Sequence, residues 1–197
     1  MKLGFTLIEL LVTISIFIVI TAVAVFSNNA FNSSILLTDL GYEIALSVRQ
    51  AQVYGITVKA PSTCLSSGCP NGFSSGYGVH FDINNKTQYI LFEDKGPNPN
   101  HIYDGALELL ENYSLGRGYT LKKLCVLSGS TYHSVNTLDV SFIRPEPEAW
   151  VSSNTDSPGL TEADVYIQDP QDINDRVIVI EPTGQISVED TDANLCN

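Results

Sequence analysis

The sequence predicts an α+β protein, one long helix followed by an antiparallel sheet, and three observations carry the prediction. The chain opens on an unbroken apolar run over residues 5–26. Apolar residues then recur at helical spacing as far as Ala51. Beyond Gly55 the pattern becomes short alternating runs separated by Gly, Pro, Asn and Asp, as in strands joined by turns. A helix followed by consecutive antiparallel strands is the α+β arrangement.

The 197 residues are 44% apolar and 16% charged, which excludes a disordered polyelectrolyte. The formal net charge is −12. Lys2 and Glu9 are the only charged residues among the first 26, so the excess of acid lies entirely in the remainder. Long-range electrostatics therefore disfavour nucleic acid and anionic lipid heads as partners of that remainder.

Residues 5–26 read FTLIELLVTISIFIVITAVAVF, with Glu9 the single charge. As a helix the run reaches roughly 33 Å, enough to cross a bilayer core. A buried core helix is hard to reconcile with that length and uniformity. A secretory signal peptide is a better rival, with Lys2 as its basic region and Ala22-Val23-Ala24 as a small-residue cleavage site. Against it, Glu9 falls inside the apolar region and the helical pattern continues past Ala24. In the third reading the chain is cut at the Gly4-Phe5 junction, and the whole apolar helix stays attached as an anchor.

The stretch Gly4-Phe5-Thr6-Leu7-Ile8-Glu9-Leu10-Leu11-Val12 resembles the class III signal of type IV pilins and type II secretion pseudopilins. The resemblance implies cleavage after Gly4 by a prepilin peptidase, methylation of the new Phe5 amine, and Glu9 as the fifth mature residue. A carboxylate in hydrocarbon costs a few kcal/mol and is usually paired or functional. Glu9 is either hydrated near the interface or, as the resemblance implies, paired in a filament with the N-terminal amine of a neighbour. The expected organisation is a leader at 1–4, a transmembrane helical segment at 5–26, an amphipathic helical half at 27–55 and an antiparallel β head at 56–197.

In the amphipathic half, Phe31, Ile35, Leu37, Leu40, Ile44, Val48 and Ala51 form the apolar stripe. The simplest account is one helix from about residue 6 to about residue 54, roughly 75 Å long. Gly55 is its expected stop and Gly41 its weak point. Strands are expected at 77–83, 87–93, 119–127, 137–143, 163–168, 176–181 and 185–188. Asn84-Asn85-Lys86 and Pro182-Thr183-Gly184 provide turns. A short helix is expected at 105–112, and polar loops at 61–76, 95–100, 145–158 and 169–175.

This order again resembles the pilin fold, a long N-terminal helix packed on an antiparallel sheet. The segment 177–188, VIVIEPTGQISV, is similar to the closing hairpin of H-type minor pseudopilins and FimT-type minor pilins. LDVSFIRP at 138–145 looks like the strand and turn before it, and Arg49-Gln50-Ala51-Gln52 sits where that family has a helix end containing Arg and Ala.

Four cysteines allow three pairings, and an even count suits an oxidising compartment. Cys64 with Cys69 is the favoured local pair, and Cys125 with Cys196 would pin the C-terminal tail. A zinc site adding His80, His101 or His133 is the sharper alternative, but the spacing matches no recognised knuckle. Asp169, Asp172, Asn174 and Asp175 are oxygen ligands on one loop, read first as a solvated turn and second as a calcium loop. Gly76-Tyr77-Gly78 and Gly116-Arg117-Gly118 read as turns, and Glu93-Asp94 and Glu189-Asp190 as strand ends. No Ser/His/Asp pattern marks a nucleophile, so neither catalytic residues nor a cofactor are expected.

The resemblance implies a minor pilin or pseudopilin that acts by assembly. Its partners would be other subunits, the prepilin peptidase, the inner-membrane assembly machinery and the membrane itself. It would be held by a single pass in the inner membrane with an extracytoplasmic head, and in a periplasmic or surface filament after assembly. The rivals are a secreted binding module released near Ala24 and a bitopic membrane hydrolase.

Overall fold

The computed structural model describes residues 4–57, 75–95, 100–154, 160–191 and 196, and side chains outside 26–32. The chain divides into two compact units, one ending at Leu36 and one beginning at Leu37. Helix α1, Leu7–Ile56, contributes to both. Its ends lie within two residues of those predicted from the sequence.

In the second unit the buried positions of α1 are Leu37, Leu40, Gly41, Ile44, Ser47, Val48, Ala51, Gln52 and Gly55. Spacings of three and four place them on one stripe. Gly41 and Gly55 belong to that stripe because of close approaches. A Cβ at Gly41 would stand 2.9 Å from Cγ1 of Val188, and one at Gly55 would overlap the Phe142 carbonyl. Gly55 is thus a packing residue inside the helix, where the sequence led us to expect a stop.

Ten strands follow among the described residues: β1 Gly76–Asp82, β2 Gln88–Asp94, β3 Leu109–Ser114, β4 Thr120–Ser128, β5 Thr131–Val135, β6 Thr137–Phe142, β7 Trp150–Ser153, β8 Leu160–Gln168, β9 Asp175–Ile180 and β10 Ile186–Asp190. They form two antiparallel five-stranded sheets, where the sequence reading anticipated one. The first has the order β3-β2-β1-β6-β7 and the second β10-β9-β8-β4-β5. The α+β class therefore holds, with a helix packed on antiparallel sheets.

Alternation in β1 and β6 sends Val79, Phe81, Leu138, Val140 and Phe142 to the core. On the helix side, the Ser47 and Tyr89 hydroxyls lie 2.9 Å apart, and Tyr54 meets Tyr77 edge-on with centroids 5.7 Å apart. The second sheet meets the start of this helical segment, where Arg176 Nε donates to the Thr38 hydroxyl at 3.2 Å.

The helix expected at 105–112 is instead a turn leading into β3. Gly105, at φ +116°, turns the chain, and the Glu108 carboxylate accepts from the backbone N–H of Asp104 and Lys95 at 2.8 and 3.2 Å. The following residues pair with β2. Strands β5 and β7 were not anticipated, and β7 lies inside the stretch expected to be a loop at 145–158. Gly76-Tyr77-Gly78, read as a turn, opens β1 instead, whereas Gly116-Arg117-Gly118 is a turn with all three residues at positive φ.

Candidate functional site

The first unit supplies the clearest candidate. Thr6 precedes α1, and its hydroxyl accepts from the backbone N–H of Glu9 at 3.4 Å and lies 3.4 Å from Glu9 Oε2. This is the Ser/Thr-x-x-Glu pairing of a helix start, so Glu9 also favours the positive end of the helix dipole. That local role was legible in Thr6-Leu7-Ile8-Glu9 and was missed.

The following segment, Leu7–Val25, is long and apolar enough to span a membrane and is 0% buried inside the protein. The same features also suit a signal sequence. Its hydroxyls turn back on the helix: Thr13 donates to Leu10 O at 2.9 Å, Ser15 to Leu11 O at 2.9 Å, and Thr21 to Phe17 O. Their donors are thereby satisfied within the helix, as hydrocarbon requires. Phe5, just ahead of the helix, is likewise 78% exposed.

In the head, Arg49 and Gln52 do fall near the helix end. The Arg49 guanidinium bonds Gln52, whose Nε2 donates to Pro147 O at 3.0 Å and Gly184 O at 3.2 Å. Gln52 thus ties the helix to the β9–β10 turn. Along this part of the helix, Tyr42, Leu46, Val53 and Ile56 remain exposed. A groove of about 370 Å³ runs between Tyr42, Ala45, Leu46 and Arg49 and the Gln185-Ile186 edge.

Sequence reasoning missed a set of buried carboxylates, because a strand pattern shows only which face a residue occupies. On the first sheet, Asp139 Oδ1 lies 2.7 Å from His80 Nδ1 and accepts from the Tyr103 N–H at 3.2 Å. Asp94 accepts from the N–H of His101 at 2.7 Å. The His101 ring stacks on Trp150 at 4.5 Å, and its Nδ1 is 3.0 Å from Ser141 Oγ. Burial raises the Asp94 and Glu108 carboxyls and lowers His101. Ser141 is 0% exposed, and its contact with His101 fastens the 100–108 segment to the sheet.

Cys125 and Cys196 stand at disulfide distance, with Cα atoms 6.1 Å apart. Cys64 and Cys69 lie outside the described residues. No cluster of three metal-ligating residues occurs among the described residues. His80 and His101 are engaged at separate positions as above, and His133 lies in β5. The acidic loop is compensated by its own backbone and by Lys122 of β4. Asp169 accepts from the Ile173 N–H and from Asn174 Nδ2, both at 2.8 Å, while Lys122 pairs with Asp172 and Asp175 at 3.1 and 2.7 Å.

Comparison of the chain with family models, curated proteins and solved structures finds no match.

Proposed function

We propose that the protein is a membrane-anchored subunit of a type IV filament machine, a minor pseudopilin or pilin of the H or FimT type that acts by assembly. The observation that carries this reading is the uncovered apolar helix directly behind Gly4-Phe5, with Glu9 its one charge, on a chain whose remainder is an acidic α+β head. In this reading the prepilin peptidase cuts after Gly4 and methylates Phe5. The helix then holds the subunit in the inner membrane with the head outside the cytoplasm, until the assembly machinery moves it into a filament for type II secretion or a type IV pilus.

Within the filament, Glu9 pairs with the Phe5 amine of a neighbour, because either charge alone in a low-dielectric helix bundle is costly. The exposed stripe of Tyr42, Leu46, Val53 and Ile56 gives adjacent subunits a further apolar surface. A second reading, a secreted binding module cut near Ala24, is favoured by the same uncovered helix if Ala22-Val23-Ala24 is the cleavage site.

Glu9→Leu tests the assembly role. The variant should insert and be processed normally, since the scissile junction is untouched and a charge has left the apolar run. It should be absent from sheared filaments and from co-purified subunits. Normal incorporation of Glu9→Leu would overturn the pairing.

A further inference from the structure

The outer face of the second sheet carries a group that the assembly role does not use. Asp164, within β8, is 1% exposed, and neither of its carboxylate oxygens has a hydrogen-bond partner among the described residues. Its cross-strand neighbours are Cys125 on β4 and Val179 on β9. On the same face, Cys125, Tyr166, Val177 and Cys196 form a buried cluster, with Tyr132 and Val179 packed against it. The cover is held at two points. Cys196 is bonded to Cys125, and its carbonyl accepts from Lys123 Nζ at 3.0 Å. Lys123 Nζ in turn lies 4.5 Å from the centre of the Tyr166 ring.

Among the described residues, the charged groups that face Asp164 are Glu162 on its own strand, Glu189 on β10 and Lys123 on β4. From β5, Tyr132 donates to Glu162 at 2.8 Å. Burial, then repulsion from Glu162 and Glu189, pushes the Asp164 carboxyl up to about 7, with Lys123 offsetting part of the rise.

We propose that the Cys125–Cys196 bond and the Asp164 proton form one switch: the bond holds together the apolar cluster beside the carboxyl and keeps Asp164 dry, and reduction loosens that cluster, hydrates Asp164 and releases its proton. The electrons come from a dithiol. One of its thiolates attacks a protein sulfur, its second thiol closes a cyclic disulfide, and the two protein sulfurs take up the two protons the dithiol gives up. The Asp164 proton leaves to solvent in addition. Opened, the face adds the Asp164 carboxylate to those of Glu162 and Glu189 and becomes more acidic.

Linkage runs both ways, so whatever ionises Asp164 must also favour reduction. Two measurements on the full-length chain in detergent micelles test this. First, the ¹³C shift of the Asp164 carboxyl is followed against pH. Its midpoint should lie near 7 in the oxidised protein and fall by about two pH units or more in Cys196→Ser. Second, wild type and Asp164→Asn are equilibrated with dithiothreitol. Between about pH 5.5 and about pH 7 the ratio of thiol to disulfide form should rise about tenfold more in wild type than in Asp164→Asn. An unchanged midpoint in Cys196→Ser, or equal pH dependence in the two proteins of the second test, overturns the switch.

Discussion

Leu7–Val25 and residues 37–56 belong to one α-helix, yet the first stretch is 0% buried while the second takes Leu37, Ile44, Val48 and Ala51 wholly out of solvent. Both are rich in aliphatic side chains. What separates them is the arrangement. The first is apolar on every side and has no glycine at which a sheet could approach. The second keeps its apolar residues on one stripe and places Gly41 and Gly55 where Val188 and Phe142 come closest. Hydrophobic content thus says that a helix needs cover, and the pattern says whether its own chain supplies it.

Matched truncations in the two stretches can break that contrast. Ile44→Ala should cost the head about 2–5 kcal/mol, the usual range for emptying a packed aliphatic site. Ile16→Ala should leave unfolding of the head unchanged. Denaturant titration of the full-length protein in micelles reads both, and equal losses would mean that burial does not distinguish the two stretches.

A second prediction concerns pH. The folded-state value of Asp164 is raised to about 7, above the unfolded carboxylate value. The folded protein therefore binds the extra proton between about pH 4 and about pH 7. Stability should fall as pH rises through that window, by an amount on the order of 4 kcal/mol, and stay low above it. In Asp164→Asn this share of the slope should be missing from the melting curves, and an unchanged slope would show that Asp164 is hydrated.

A smaller effect is expected at Gly55. Alanine ordinarily favours a helix over glycine by about 1 kcal/mol. Here the added methyl would overlap the Phe142 carbonyl, so Gly55→Ala should instead lower head stability by about 1–3 kcal/mol. A stabilised variant would show that helix and sheet are less tightly apposed than described.

The helix and most strands were legible because their periods are written locally. Val79 and Phe81 alternate as expected, although Ile83, expected to continue the strand, starts a 3-10 turn instead, and Leu40, Ile44, Val48 and Ala51 step by three and four. The division into two sheets was not legible, since the order β3-β2-β1-β6-β7 depends on pairings between residues far apart in sequence. Residues 106–110, ALELL, favour a helix by composition. The Glu108 contacts with backbone N–H groups and the pairing with β2 override that preference. Strand β8 shows the limit most clearly. Alternation assigns Ala163, Val165 and Ile167 to the core and Asp164 and Tyr166 to the other face, which a sequence reader takes for solvent. The cover over that face includes Cys196, which lies thirty-two positions further along the chain.

The N-terminal residue of the mature protein tests the proposed identity most directly. Expressed with a prepilin peptidase and extracted from membranes, the protein should have the intact mass of residues 5–197 plus one methyl group, and sequencing should begin at a methylated Phe5. Retention of Met1, or a chain beginning at Val25, would contradict the account.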